Sequence, residues 1–110
     1  MNRIRLPVDG YAHSTLQMYS EPGIVDHDDP DDADIAAVIA AYNGKSLRFE
    51  PQQAEQIARG LTDLSNTEDE DCERRKKERH PDPEGIRFCR AASLGLSTLA
   101  MHAHRAGRAA

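Results

Sequence analysis

The chain has 110 residues and a formal net charge of −5, with 38% hydrophobic and 5% aromatic residues. This length predicts one small domain over residues 1–110, and the net negative charge argues against direct binding to nucleic acid, because phosphate contacts need an excess of Lys and Arg. No apolar run approaches the roughly 18 residues that a membrane span needs, and residues 1–10 lack the apolar stretch of a signal peptide. We therefore expect a cytoplasmic protein that does not enter a membrane.

The N-terminal segment predicts two short strands. Residues 3–8 alternate polar and apolar side chains and end at an Asp-Gly turn pair, which is typical of a strand. Residues 14–20 carry Leu16 and Met18 on one face and end before a Pro-Gly pair, so we predict a second strand there. The two strands would pair as an antiparallel hairpin with a longer loop.

An acidic loop and an ambiguous segment follow. Residues 21–34 contain Pro, Gly and six Asp, a composition too charged to fold on itself. Residues 31–42 fit a helix whose N-terminal end carries the aspartates and which Gly44 ends, but they also fit one strand of a hairpin with a type I′ turn at Asn43-Gly44. We favour the hairpin because residues 46–49 are typical of a strand; the helix stays the alternative.

The apolar period becomes helical after Pro51. Residues 54–64 carry an apolar stripe with three-four spacing, and beyond it acid-before-base pairs four residues apart extend the predicted helix over residues 51–79, toward His80. A break at Ser65-Asn66 is the alternative. A second helix is predicted over residues 83–106, beginning at an Asp-Pro-Glu signature. The predicted fold class is therefore α+β: a small antiparallel sheet of about four short strands followed by a C-terminal antiparallel helical hairpin.

The two cysteines lie on the apolar stripes of the predicted helices. If the hairpin folds about residue 81, Cys72 and Cys89 come to nearly the same height on facing helices. In a reducing cytosol two buried thiols are the expected state, with a disulfide in oxidised protein as an alternative. A zinc site of Cys72, Cys89 and His80 is a weaker alternative, because the close-spaced ligand pairs of zinc sites are missing.

Motifs for catalysis and for cofactors are absent from the sequence. The segment from Asp26 onward lacks the Gly and Glu that an EF-hand calcium loop requires, and no nucleophile elbow, phosphate-binding glycine loop or zinc-protease motif occurs. Carboxylates are abundant, but acid-base catalysis needs two carboxylates in different environments within a pocket. We therefore predict that the protein is not an enzyme and needs no metal or cofactor.

Charge is concentrated in blocks. Two acidic runs hold eleven of the nineteen acidic residues, and residues 74–79 form a basic block directly after the second run. Such runs usually serve as solvated surface, but rows of carboxylates also imitate the phosphates of a nucleic acid. We predict that both runs bind a partner; their members are Asp26, Asp28, Asp29, Asp31, Asp32, Asp34, Glu68, Asp69, Glu70, Asp71 and Glu73.

The predicted function is that of a small acidic inhibitor or regulator of a basic, nucleic-acid-binding partner protein. In style the chain is similar to phage anti-restriction and anti-CRISPR proteins, which are short, acidic and free of motifs, although no stretch of it matches a particular family. The alternative is a homo-oligomeric accessory protein, such as a homodimer, in which Leu94, Leu99 and Met101 of the last helix meet their own copies. Direct nucleic-acid binding by residues 74–79 is opposed by the flanking acids.

Overall fold

The computed structural model describes residues 3–109. Over these residues it is a mainly helical fold with one small antiparallel sheet, so the prediction of a mixed helix and sheet protein is confirmed at that level. In chain order the elements are β1 (Ile4–Pro7), α1 (Gly10–Tyr19), α2 (Ala33–Ala41), β2 (Ser46–Phe49), α3 (Ala54–Lys76) and α4 (Pro83–Ala109). Short 3-10 turns at Pro30–Asp32 and Pro51–Gln53 lead into α2 and α3.

The sheet has two strands among the described residues, where four were predicted. β1 pairs with β2, and Arg5 lies opposite Arg48 in the antiparallel register. Leu47 and Phe49 are buried while Arg48 between them is exposed, so one face covers the core and the other meets solvent.

The predicted strand over residues 14–20 is wrong, because this segment belongs to α1. Ala12, Thr15 and Leu16 are its buried residues, and their three-four spacing is that of a helix. Met18, predicted to share a strand face with Leu16, is 47% exposed, whereas Leu16 is fully buried. Gly10 begins the helix with a positive φ of 59°, a conformation that a side chain would disfavour.

The predicted hairpin over residues 31–49 is also wrong, and the helical alternative is the observed structure. The Asp29 carboxylate accepts a hydrogen bond from the Asp31 backbone N–H at 2.9 Å, and α2 follows directly from this capped turn. Asn43-Gly44 does form a turn, with Gly44 at a φ of 90°, but it joins α2 to β2 instead of joining two strands. The alanines of α2 favour a helix, and this local preference exceeds the hairpin signal.

The two long helices, predicted over about 51–79 and 83–106, are α3 and α4. They lie side by side and run in opposite directions: Glu55 contacts His104, Ser65 contacts Ser93, and the Cys72 thiol faces the carbonyl oxygen of Ile86. α3 ends at Lys76, earlier than predicted, so the helices are offset from a pairing about residue 81. Cys72 and Cys89 are therefore not level, and both thiols are buried and free.

The hydrophobic core lies where α1 and α2 cover the pair of long helices. Leu16, Val38, Leu61 and Leu96 are fully buried there. Gly60 lets α2 approach α3 closely, because a Cβ at this position would lie 2.2 Å from the Asp34 backbone oxygen. This packing fixes the start of α2, and with it the acidic loop, against α3.

Candidate acidic recognition surface

The first acidic run forms a structured loop before α2. The Asp28 backbone N–H donates to the Asp26 carboxylate at 3.0 Å, and the Asp26 N–H donates to the Asp32 carboxylate at 3.3 Å. Val25, directly before the run, is buried. The prediction that the loop is too charged to fold on itself is therefore wrong, since its own carboxylates accept the backbone hydrogen bonds that order it.

The exposure of these aspartates differs. Asp26, Asp28 and Asp31 are exposed, whereas Asp29, Asp32 and Asp34 are partly buried. Asp34 forms an ion pair with Arg59 at 3.4 Å and borders a groove of about 420 Å³ between α3 and α4. Asp63, which lies outside both predicted runs, lines the same groove, so α3 contributes a further carboxylate there.

The second acidic run is divided between two faces of α3. Asp69, Glu70 and Glu73 point to solvent, whereas Glu68 is buried and Asp71 is partly buried. Positions 68, 71 and 72 share one helix face, so the fold turns them toward α4. Three of the five residues of the second run, Asp69, Glu70 and Glu73, are therefore exposed.

Glu68 and Asp71 meet Cys89 in a polar cluster between the long helices. The Cys89 thiol donates to the Asp71 carboxylate at 3.0 Å, and Arg75 donates to the same carboxylate at 2.9 Å. Hydrogen bonds from Cys89, Arg75 and Arg74 hold the pKa of Asp71 well below its usual range. Asp71 therefore stabilises the fold above the pKa that it has in the unfolded chain, and this contribution is lost as the pH falls through its folded pKa.

The pKa of Glu68 is shifted in the opposite direction, upward. Glu68 is 6% exposed, and no basic group of residues 3–109 lies within ion-pair distance of it. Burial raises the pKa of its carboxyl, the Cys89 thiol opposes this shift, and the charge of Asp71 adds to it. Because the folded pKa lies above the unfolded one, the ionised carboxylate destabilises the fold, and this cost grows as the pH rises through the folded pKa.

Replacing Glu68 with Gln should therefore increase the free energy of unfolding at neutral pH, by about 1 kcal/mol. The gain should shrink in acid, where the wild-type carboxyl is already protonated. Urea unfolding at neutral and acidic pH measures both effects. Glu70→Gln is the matched control, since Glu70 is exposed on the same helix and its change should stay within about 0.5 kcal/mol. A gain for Glu68→Gln that is independent of pH would contradict the assignment.

This cluster also brings three potential metal-ligating atoms together. Within residues 3–109, one such atom each from Glu68, Asp71 and Cys89 lies within 4.8 Å of the other two. Burial and the Asp71 carboxylate raise the pKa of the Cys89 thiol to about 12, which leaves it protonated and a poor nucleophile or ligand. Arg75 already donates a hydrogen bond to the Asp71 carboxylate, so a metal cation would have to displace it. The zinc set of Cys72, Cys89 and His80 does not come together in the described residues.

Three of the five basic residues in the block at residues 74–79 form ion pairs with nearby carboxylates, whereas Lys77 and Arg79 form none within residues 3–109. Arg74 pairs with Asp71 and with Glu78, Arg75 pairs with Asp71, and Lys76 pairs with Glu73 at 3.0 Å. By contrast, no ion pair within residues 3–109 involves the exposed carboxylates Asp26, Asp28, Asp31, Asp63, Asp69 and Glu70. These six carboxylates, which we call the acidic surface, are therefore unpaired, whereas more than half of the neighbouring basic block is paired.

Comparisons with known proteins return no match: no family model fits the chain, and no curated protein or solved structure is significantly similar. None of the helices within residues 3–109 is both long enough and apolar enough to cross a membrane. A functional assignment therefore depends on the surface chemistry described above.

Proposed function

We propose that the protein is a small, non-enzymatic, acidic binding protein that inhibits or regulates a basic, nucleic-acid-binding partner protein by occupying its surface. The observation that supports this most is a set of exposed carboxylates that form no ion pair within residues 3–109: Asp26, Asp28 and Asp31 on the loop and Asp69 and Glu70 on α3. Anionic groups at fixed positions are what a basic groove that binds phosphates would accept. Phage inhibitors of restriction and CRISPR enzymes illustrate this class of activity.

The ordered loop supports the proposal because ordering before binding reduces the entropy lost in a complex. The hydrogen bonds that Asp26, Asp29 and Asp32 accept already fix the loop, so its outward carboxylates are presented without further folding. Asp29, Asp32, Asp34, Glu68 and Asp71 would then act mainly by holding the surface in shape, and Glu73 would act through its pair with Lys76.

The test is capture of partners from nuclease-treated bacterial lysate by immobilised protein, followed by elution with duplex DNA. A variant carrying Asp26→Asn, Asp28→Asn and Asp31→Asn keeps acceptor oxygens for the loop but loses three charges. We expect it to bind the captured basic protein at least about tenfold more weakly than wild type, because three lost charge contacts of about 0.5 kcal/mol each sum to the roughly 1.4 kcal/mol of a tenfold change. Added duplex DNA should release the partner from wild type.

The matched control loses the same charge elsewhere, through Asp9→Asn, Asp82→Asn and Glu84→Gln, and should bind as wild type does. Equal capture by the loop variant and wild type, or retention of the partner in the presence of excess DNA, would refute the proposal. Circular dichroism of each variant verifies that the fold is retained.

Self-association through α4 is the second candidate function. Leu94 is 69% exposed and Met101 is 50% exposed, and they lie seven residues apart on one side of the helix. Leu99, predicted to be part of this exposed stripe, is instead 7% exposed and packs in the core. The surface available for an oligomer is thus narrower than the sequence predicted.

A further inference from the structure

The solvent face of the small sheet carries an uncompensated positive charge. Arg5 and Arg48 are directly opposite each other across the two strands, and Lys45 precedes β2. All three are exposed, and none of them forms an ion pair within residues 3–109. Arg3 on the same strand edge differs, because Glu50 neutralises it at 3.1 Å. Like charges placed directly across a sheet destabilise it, so an anion bound between them would be stabilising.

The turn before β2 adds uncharged donors to this face. The Asn43 side-chain oxygen accepts hydrogen bonds from the Ser46 N–H at 3.0 Å, from the Ser46 hydroxyl at 3.1 Å and from the Lys45 N–H at 3.3 Å. With its oxygen held by the turn, the NH₂ group of Asn43 remains free to donate elsewhere. The turn thus fixes an amide donor beside the basic side chains.

These groups line one depression of about 310 Å³. Its lining consists of Arg5, Asn43, Gly44, Lys45, Ser46 and Arg48, and it contains no carboxylate. Two guanidinium forks, an ammonium and an amide together offer many N–H donors to an anion. Guanidinium groups bind phosphate oxygens in pairs, and a phosphate dianion matches several positive charges better than a single carboxylate does.

We propose that this depression, termed the basic sheet site, binds a phosphate group, either of a free phosphate compound or of a nucleic-acid backbone. It lies beyond the C-terminal end of α2, whereas the acidic loop lies at the N-terminal end of that helix. The nine residues of α2 separate the two by about 14 Å along its axis. The site therefore does not depend on the proposed role of the acidic surface.

Titration calorimetry and thermal unfolding with pyrophosphate, at constant ionic strength set by NaCl, test the proposal. We expect saturable binding to wild type and at least about fivefold weaker binding to Arg48→Gln and to Arg5→Gln. Arg87→Gln is the matched control, because Arg87 is exposed on α4 and forms no ion pair within residues 3–109. It should bind pyrophosphate as wild type does. A short single-stranded oligonucleotide forms a second arm, in which binding tighter than that of pyrophosphate identifies a nucleic-acid backbone as the source of the phosphate.

A structural readout makes the test decisive. Without ligand, Arg48→Gln should keep a melting temperature equal to or above that of wild type, since the substitution removes a like-charge pair. Absence of saturable pyrophosphate binding to wild type would overturn the proposal, as would equal binding to wild type, Arg5→Gln and Arg48→Gln. A lower melting temperature for ligand-free Arg48→Gln, together with a wild type that does not respond to pyrophosphate, would assign Arg48 a role in stabilising the sheet instead.

Discussion

Replacing Gly60 with Ala is expected to reduce the free energy of unfolding by about 2 kcal/mol or more, although Ala is the better helix former by about 1 kcal/mol. The added Cβ would lie 2.2 Å from the backbone oxygen of Asp34 and 2.6 Å from Cγ2 of Val38. Because the nearer atom belongs to the backbone of α2, no side-chain rotation can relieve the clash, and α2 must move away from α3. Urea unfolding followed by circular dichroism measures the loss.

Gly85→Ala provides the control for this substitution. Gly85 also lies in a helix, but its added Cβ would meet the tip of the Arg75 side chain at 2.7 Å, and that group can move. Because Arg75 also donates to Asp71, its displacement offsets part of the gain in helix propensity, and we expect a net change within about 0.5 kcal/mol of zero. Similar losses of unfolding free energy at both positions would show that the effect of Gly60→Ala does not arise from the close packing of α2 on α3. Because α2 positions the acidic loop, Gly60→Ala should also weaken the proposed binding of a basic partner.

The long helices could be predicted from the sequence because their period is sustained. In α3 the stripe of Ile57, Leu61 and Leu64 repeats over several turns, and all three residues are fully buried. An apolar repeat sustained over this length predicts a helix and excludes a strand. The offset between α3 and α4 was not predictable in the same way, because it depends on Lys76 being the last residue of α3, and charged residues continue beyond it without a break.

The N-terminal half was mispredicted because its segments are short. In α1 the apolar residues Leu16 and Met18 suggest alternation, and the helical spacing from Ala12 to Leu16 is visible only when alanine is counted as a core residue. The predicted Asn-Gly turn is present after α2, but a turn sequence does not indicate whether a helix or a strand precedes it. For segments of about ten residues, tertiary packing decides between helix and strand.

The composition of the sequence predicted where the acidic residues are concentrated, but it did not predict which of their side chains face solvent. Charge runs locate Asp26 and Asp69 correctly on the surface, whereas the burial of Glu68 follows from helix phase and from the position of α4. Asp63 was missed because it stands alone in the sequence and joins the acidic surface only through the fold. The pairing of Arg5 with Arg48 could not be foreseen either, since the predicted sheet paired β1 with residues 14–20.

Leu96→Ala should cost about 3 kcal/mol of unfolding free energy, within the range of about 2 to 5 kcal/mol for buried leucines. Leu96 is fully buried in the core beneath α1 and α2, and removing its side chain leaves a cavity. Leu94→Ala makes the same chemical change two residues away on α4, where the side chain is 69% exposed, so helix propensity cancels between the two variants. For a monomer, Leu94→Ala should change stability by no more than about 0.5 kcal/mol.

The same pair of variants also separates the two candidate functions. If α4 associates with its copy through Leu94 and Met101, the melting temperature of wild type rises with protein concentration, and Leu94→Ala removes this dependence. Sedimentation equilibrium would then show a lighter species for Leu94→Ala. If the protein acts as a monomer on its basic partner, neither melting temperature depends on concentration, and Leu96→Ala alone is destabilised. Loss of partner capture by Leu94→Ala, with its stability unchanged, would move the binding surface from the acidic loop to α4.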